Sequence, residues 1–297
     1  MTTAPRDQRR ATLWMLGAVV AFTLMAVAGR HVSAAHDTFE VLMYRSAVGL
    51  ALVVAGGAAT GRLGEISTRN LSGHFIRNIV HFAGQNLWFF ALALIPLAQL
   101  FAIEFTAPLW VILAAPLVLG ERLTATRLIA AALGFAGILI VTRPFAAGIS
   151  IGVAAAAGAA LCFAAVQVLT KRLTGGVSVI GILFWLTLMQ LFFGLIGAGY
   201  DGQIALPTAA TLPWLALIGL TGVCAHLSLT TALSLAPASY VAPIDFLRLP
   251  VIAVVGALAF GEPLDPMVLI GGAVIFLGIW LNIRGQLRGS RLTQRPH

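Results

Sequence analysis

The sequence predicts an all-α integral membrane protein of ten transmembrane helices in two inverted five-helix repeats, and three observations predict it. Of 297 residues, 60% are hydrophobic and 9% charged, with a mean hydropathy of +0.98, well outside the range of soluble domains. Apolar runs of about 20 residues, each long enough to cross a bilayer core of about 30 Å, recur from end to end. The chain also matches itself when displaced by 141 residues.

The first run, 11–29, follows Arg6, Arg9 and Arg10 and closes on Ala26-Val27-Ala28, a pattern that a secretory leader shares. It is expected to be retained, because Gly17, Ala18 and Phe22 fall on Gly158, Ala159 and Phe163 at the common offset, with Arg30 on Lys171. Run 38–58 carries Tyr44 and Arg45. In run 71–94, His74, Arg77, His81, Gln85 and Trp88 follow a 3-4-4-3 spacing that places them on one helix face. Run 97–119 holds Glu104 four residues before Pro108, and run 124–142 contains the glycine-rich AALGFAGILIV. Then come 149–170 with Cys162 and Gln167, 178–200 with Trp185 and Gln190, and 212–234 with Cys224 and His226. Run 238–260 sets Asp245 and Arg248 between Pro243 and Pro250, and run 266–283 contains IGGAVIFLGIW. The two cysteines lack CxxC or histidine-rich company, so they read as buried thiols; neither a disulfide framework nor a metal or other cofactor is expected.

At the 141-residue offset ALALIPLAQLFAIEF falls on ALSLAPASYVAPIDF, and Gly120-Glu121-Arg122-Leu123 falls on Gly261-Glu262-Pro263-Leu264. From Ala91 to Arg143, 17 of 53 positions are identical without a gap. The expected halves are 1–147 and 148–297. Each holds five spans, an odd number, so the second copy enters the membrane from the opposite side. The charges follow the inversion: Arg122 and Arg127 become Pro263 and Val268 in a connection, GEPLDP, that is acidic.

With the N-terminus inside, thirteen Lys and Arg fall in cytoplasmic segments, and only Arg30 and Arg143 fall outside. That positive-inside asymmetry predicts cytoplasmic termini. The net charge of +8 then reflects topology and anionic lipid rather than nucleic acid. Inverted repeats are a recurring design of secondary transporters, with the solute bound between the halves. No GxxxxGK[ST] sequence is present, so direct drive by ATP is not expected. Nor does a catalytic motif such as HxxxxD point to an enzyme.

The two Gly-Glu-x-Leu turns, the segments PLWVILAAPLVLGERLT and PVIAVVGALAFGEPLD, and the glycine-rich last span of each half resemble the EamA-type members of the drug/metabolite transporter superfamily, over nearly the whole chain. The resemblance implies a bacterial inner-membrane carrier, with the first four spans of each repeat around a central cavity and spans five and ten at the side. It implies export of amino acids or related metabolites by alternating access. A carrier of organic cations or nucleosides, or an importer on the same fold, is the alternative. Gly134, Gly137, Gly271, Gly272 and Gly278 suit close helix approach, within the chain or in a homodimer.

An ionisable group at membrane depth costs about 2.5–3.5 kcal/mol on insertion scales and usually faces a cavity or a partner. The expected cavity-lining, substrate-binding residues are Tyr44, Arg45, His81, Gln85, Trp88, Glu104, Gln167, Trp185, His226, Asp245 and Arg248. Arg45 and Glu104 lie at similar depth, about 10 Å from their outer helix ends, so they are expected to pair. Asp245 and Arg248, three apart, share a face. Arg77 either joins the stripe or snorkels to the interface, and His74 is expected at the interface. Tyr44, Trp88, Trp110 and Trp185 are candidate apolar walls. A zwitterionic solute needs a cation, an acceptor and a side-chain pocket, which these residues supply; energy coupling stays open between proton relay and facilitated diffusion.

Overall fold

The computed structural model describes residues 5–111, 113, 125–143, 149–173, 177–235 and 244–293. Ten α-helices have both ends among the described residues: α1 Pro5–Val32, α2 Thr38–Ala59, α3 Leu71–Leu94, α4 Leu97–Glu104, α5 Ala125–Thr142, α6 Ile151–Leu173, α7 Val179–Ala198, α8 Leu212–Leu235, α9 Arg248–Phe260 and α10 Pro266–Thr293. Five of them (α1, α2, α6, α7 and α8) contain segments individually long and apolar enough to cross a membrane. Large apolar side chains face outward, as lipid-exposed helices require: Val20, Phe192 and Leu258 are 57%, 60% and 84% exposed.

Local chemistry sets several ends. Asp37 accepts from Glu40 N at 2.8 Å while the Glu40 side chain accepts from Asp37 N at 3.1 Å, a capping box that starts α2. Ser178 caps α7 by accepting from Gly181 N. Gly261, at φ +65°, ends α9, with Glu262 N donating to Gly256 O and Gly261 N to Ala257 O, both at 3.1 Å. This double closure needs a left-handed residue, which glycine supplies without strain. The matching turn at 120–123, the repeat match Pro237 and the proline at 243 lie outside the described residues.

The packing pairs show the inverted relation. The helix α1 packs on α8 and α6 packs on α3, while α2 meets α7, α4 meets α9 and α5 meets α10. Each pair either exchanges with another or maps onto itself when the halves are interchanged. Individual contacts obey the same rule. A methyl added at Gly17 would meet Ser228 Oγ at 3.4 Å, and one at Gly158 would meet Leu87 Cδ1 at 3.1 Å; these two contacts are each other's image at the 141-residue offset. Likewise a methyl at Gly137 would lie 2.7 Å from Gly271 O, and one at Gly278 would lie 2.7 Å from Ala130 O. The α5 and α10 backbones therefore touch at their glycines, and this face is used inside the chain.

Candidate solute-binding cavity

The acids stand at breaks in their helices. Helix α4 ends at Glu104, residues 105–106 form a turn, and helix resumes at 107; residues 244–245 are helical, 246–247 form a turn, and α9 begins at Arg248. The two turns are 141 residues apart. In both, the chain tightens to three-residue closure: Thr106 N donates to Ile103 O at 3.0 Å, and Leu247 N to Ile244 O at 3.1 Å. Pro108 and Pro250 follow, and neither has an N–H to return to the carbonyl four residues back.

Beside the breaks, Arg248 joins both acids. Its Nη2 donates to Asp245 Oδ2 at 3.0 Å and its Nη1 to Glu104 Oε1 at 3.5 Å, while Trp88 Nε1 donates to Glu104 Oε2 at 2.7 Å. The guanidinium lies 4.4 Å from the centroid of Phe22, 5.0 Å from Phe105 and 5.4 Å from Phe101, an aromatic surround that favours a cation. The expected Asp245–Arg248 pair is present. The expected Arg45–Glu104 pair is not: Glu104 is taken by Arg248, because α9, rather than α2, lies against α4 at this depth.

Arg45 instead points to the second half. Its Nη1 reaches Gln190 Oε1 at 3.5 Å, and Gln190 Nε2 lies 3.2 Å from His81 Nδ1. His81 is edge-on to His226 at 6.0 Å between centroids. Arg77 is buried, donating to Thr170 Oγ1 and Asn78 Oδ1, both at 2.8 Å, and it lines the cavity. His74, three residues into α3, is also fully buried, 6.4 Å from the ring of Trp185.

These groups surround one cavity of about 470 Å³. Arg45, His81, Gln85, Trp88, Glu104, Gln167, His226, Asp245 and Arg248 all line it, together with Arg77. The first four helical spans of each half contribute, and no described residue of α5 or α10 does. Three expected wall residues stand elsewhere. Tyr44, one step from Arg45 and so turned about 100° around the helix, donates from its hydroxyl to Ala205 O at 2.8 Å. Trp185 donates from Nε1 to Ser67 O at 2.9 Å. Trp110 is also outside the lining and donates to Thr106 Oγ1 at 3.2 Å. Phe22, Phe163 and Thr170 line the cavity and were not foreseen, although Phe22 and Phe163 occupy equivalent positions in the two halves, which was the available signal.

The cavity reaches one end of the bundle and stops short of the other. Thr170 and Val179 line it where α6 ends and α7 begins, near the end that carries Arg62. Toward the end that carries Arg30, its lining on α3 stops at Phe89, five residues or about 8 Å before Leu94. That end is sewn between the halves. Arg30 meets Glu262 at 3.0 Å and donates to Ile95 O at 2.7 Å. Glu262 Oε2 accepts from Leu97 N at 2.8 Å, capping α4, whose own N-cap Pro96 makes no side-chain hydrogen bond. Glu40 accepts from Ala205 N at 2.5 Å, His36 meets Thr211 at 3.1 Å, and Arg143 pairs with Asp265.

Comparison with known proteins fits this architecture. The model of the EamA-like transporter family matches residues 9–143 and again residues 150–284, two matches displaced by the same 141 residues. A riboflavin transporter of Rhizobium johnstonii is 32% identical over 219 residues, covering 73% of this chain and 72% of that protein. One from Vibrio cholerae is 27% identical over 288 residues, 95% of each. An S-adenosylmethionine uptake transporter of Rickettsia bellii is 26% identical over 266 residues, 88% of this chain and 89% of that protein. A crystal structure with a TM-score of 0.66 and 20% identity covers 95% of this chain and 98% of that one, and so supports the fold alone.

Proposed function

This chain belongs to the EamA-like transporter family, a multi-pass membrane transporter of small metabolites in a bacterial membrane, and we propose that its solute is a flat heteroaromatic metabolite of the riboflavin kind, taken up into the cell. Relatives named for riboflavin and for S-adenosylmethionine uptake favour this over the amino-acid export expected from the sequence. The observation that carries the reading is the cavity's composition. Phe22, Phe105 and Phe163 offer ring surfaces beside Gln85, Asp245, Arg45 and Arg248, each of which keeps one polar atom without a protein partner: Gln85 Oε1, Asp245 Oδ1, Arg45 Nε and Arg248 Nε. A tricyclic ring bearing carbonyl acceptors and an imide N–H matches such a wall, because each unpaired buried polar atom is costly until met. A sulfonium solute suits it less, since among the described residues three arginines face two acids.

The Arg62 end is assigned to the cytoplasm by the positive-inside asymmetry. The cavity then reaches the inner side, and the Arg30 end is the closed outer side of an alternating-access cycle in the inner membrane. The halves are divided between 147 and 148. With the α5–α10 glycines engaged within the chain, the proposed working unit is the single chain.

Counterflow in proteoliposomes tests the solute. Vesicles preloaded with unlabelled riboflavin should accumulate labelled riboflavin transiently, while S-adenosylmethionine and a mixture of amino acids should neither exchange nor compete. Exchange of an amino acid without riboflavin would return the chain to the export reading.

A further inference from the structure

Among the described residues, the cavity holds a cation that no carboxylate answers. Arg45 is 7% exposed, its one hydrogen bond is the 3.5 Å contact to Gln190, and its Nε has no partner. Both acids of the cavity are engaged by Arg248. Arg77 is bonded only to the neutral Thr170 and Asn78. Opposite Arg45 lies bare backbone: a methyl added at Gly222 would stand 2.9 Å from its Nε and 3.1 Å from its Nη2. Beside the guanidinium is a cleft of about 20 Å³ that shares Arg45, Leu183, Leu186 and His226 with the wall of the main chamber, room for one water-sized occupant. Arg45, Ser46, Thr187, Gln190, Gly222 and His226 contribute to its wall.

A buried guanidinium without a counter-charge is unfavourable, and a hydrogen-bonded anion reverses that balance. We propose that this cleft is an anion seat, in which the Arg45 guanidinium and the Ser46 hydroxyl hold a small, singly charged anionic group. The group is either a free halide or an anionic substituent of the solute projecting from the main chamber, and the chemistry recognised is the same. The seat has no twin. Arg45 falls on Leu186 at the 141-residue offset, and Leu186 itself lines the cleft. Its walls come from α2, α7 and α8, so an occupant ties the first half to the second.

The use of this seat in transport rests on the carrier reading above, but its existence is measured without transport. Purified protein in detergent is heated across a series in which sodium chloride replaces sodium gluconate at constant ionic strength. A free-halide seat predicts a saturable rise in melting temperature, with apparent chloride affinity about tenfold or more weaker in Arg45→Gln and largely kept in Arg45→Lys. An anionic substituent predicts no halide effect. In chloride-free counterflow it instead makes a flavin whose side chain ends in a carboxylate a better competitor than riboflavin, an advantage that disappears in Arg45→Gln. The inference is overturned if the wild type shows neither effect, or if Arg45→Gln shows either at wild-type strength. Loss of all counterflow with a retained halide rise would sink the carrier reading and leave the seat standing. If Arg45→Gln fails to fold, Ser46→Ala is read for the same loss of affinity.

Discussion

Removing the guanidinium of Arg248 strands two carboxylates in one chamber. Breaking a buried pair by deleting one partner costs about 3–5 kcal/mol, whereas replacing all the charges together is often close to neutral. Arg248→Ala is therefore expected to destabilise the protein by that amount, and the triple change Arg248→Met, Glu104→Gln, Asp245→Asn should recover most of it. Unfolding in detergent measures both; a triple variant no more stable than the single one would show that the cluster is not an electrostatic unit. Part of this cluster was legible in the sequence, since Asp245 and Arg248 are three apart in one apolar run. Its other half was misread because depth along a span fixes the layer of a charge but not which neighbour occupies that layer. Glu104 and Arg45 share a level, yet α9 brings Arg248 to Glu104 first. No repeat cue pointed there, because Arg248 falls on Ala107. The Tyr44 and Trp185 side chains were placed from residue type and from their equivalence in the repeat, and neither carries an azimuth.

The same contrast appears in the helices. Hydropathy set the limits of α2 and α3 to within a residue, Thr38–Ala59 and Leu71–Leu94 against 38–58 and 71–94. It read 97–119 and 238–260 as uninterrupted, because a turn made of Phe105-Thr106 or Phe246-Leu247 is as apolar as the helix around it; only the prolines hinted at the breaks. Broken spans whose ends line a chamber are sites of movement in carriers. Pro108→Ala supplies an N–H for the Glu104 carbonyl and removes a ring that clashes with the preceding turn. Stability at or above wild type together with counterflow reduced several-fold is the expected result, and undiminished counterflow would mean the break is incidental. The α5–α10 contact obeys a different constraint. A side chain at Gly137 meets Gly271 O at 2.7 Å, so Gly137→Leu must separate two backbones, at about 1–3 kcal/mol or more for overpacking. Thermal unfolding should fall accordingly, without a change in solute preference in the protein that remains folded, since no described residue of either helix lines the cavity.

Across the whole molecule the halves share a scaffold and differ in charge. Glu104 and Asp245 are duplicated, as are Phe22 and Phe163, whereas Arg45, Arg77 and Arg248 fall on Leu186, Ile218 and Ala107. Symmetry of this kind lets two halves rock between equivalent packings, and the unduplicated cations then determine what the chamber accepts. The self-match made the repeat visible, but not which of the two closures the chain adopts, since each half can take either role. In the structure the Arg30 end is closed, and Glu262 is central to that closure because one carboxylate both meets Arg30 and caps α4 across the divide. Glu262→Gln keeps the shape and an acceptor for Leu97 N but removes the charge that engages Arg30 and favours a helix N-terminus. A partly buried contact of this kind contributes about 1–2 kcal/mol, enough to shift an equilibrium between closed and open ends about fivefold to thirtyfold. With Gln85→Cys as a reporter in the chamber and Cys162 and Cys224 replaced by serine, an impermeant maleimide added outside intact cells should label the Glu262→Gln protein faster by several-fold. Labelling at the rate of the Glu262 parent would mean that the seal is carried by the Glu40–Ala205 and Arg143–Asp265 contacts, and the same reporter would then quicken in Glu40→Gln.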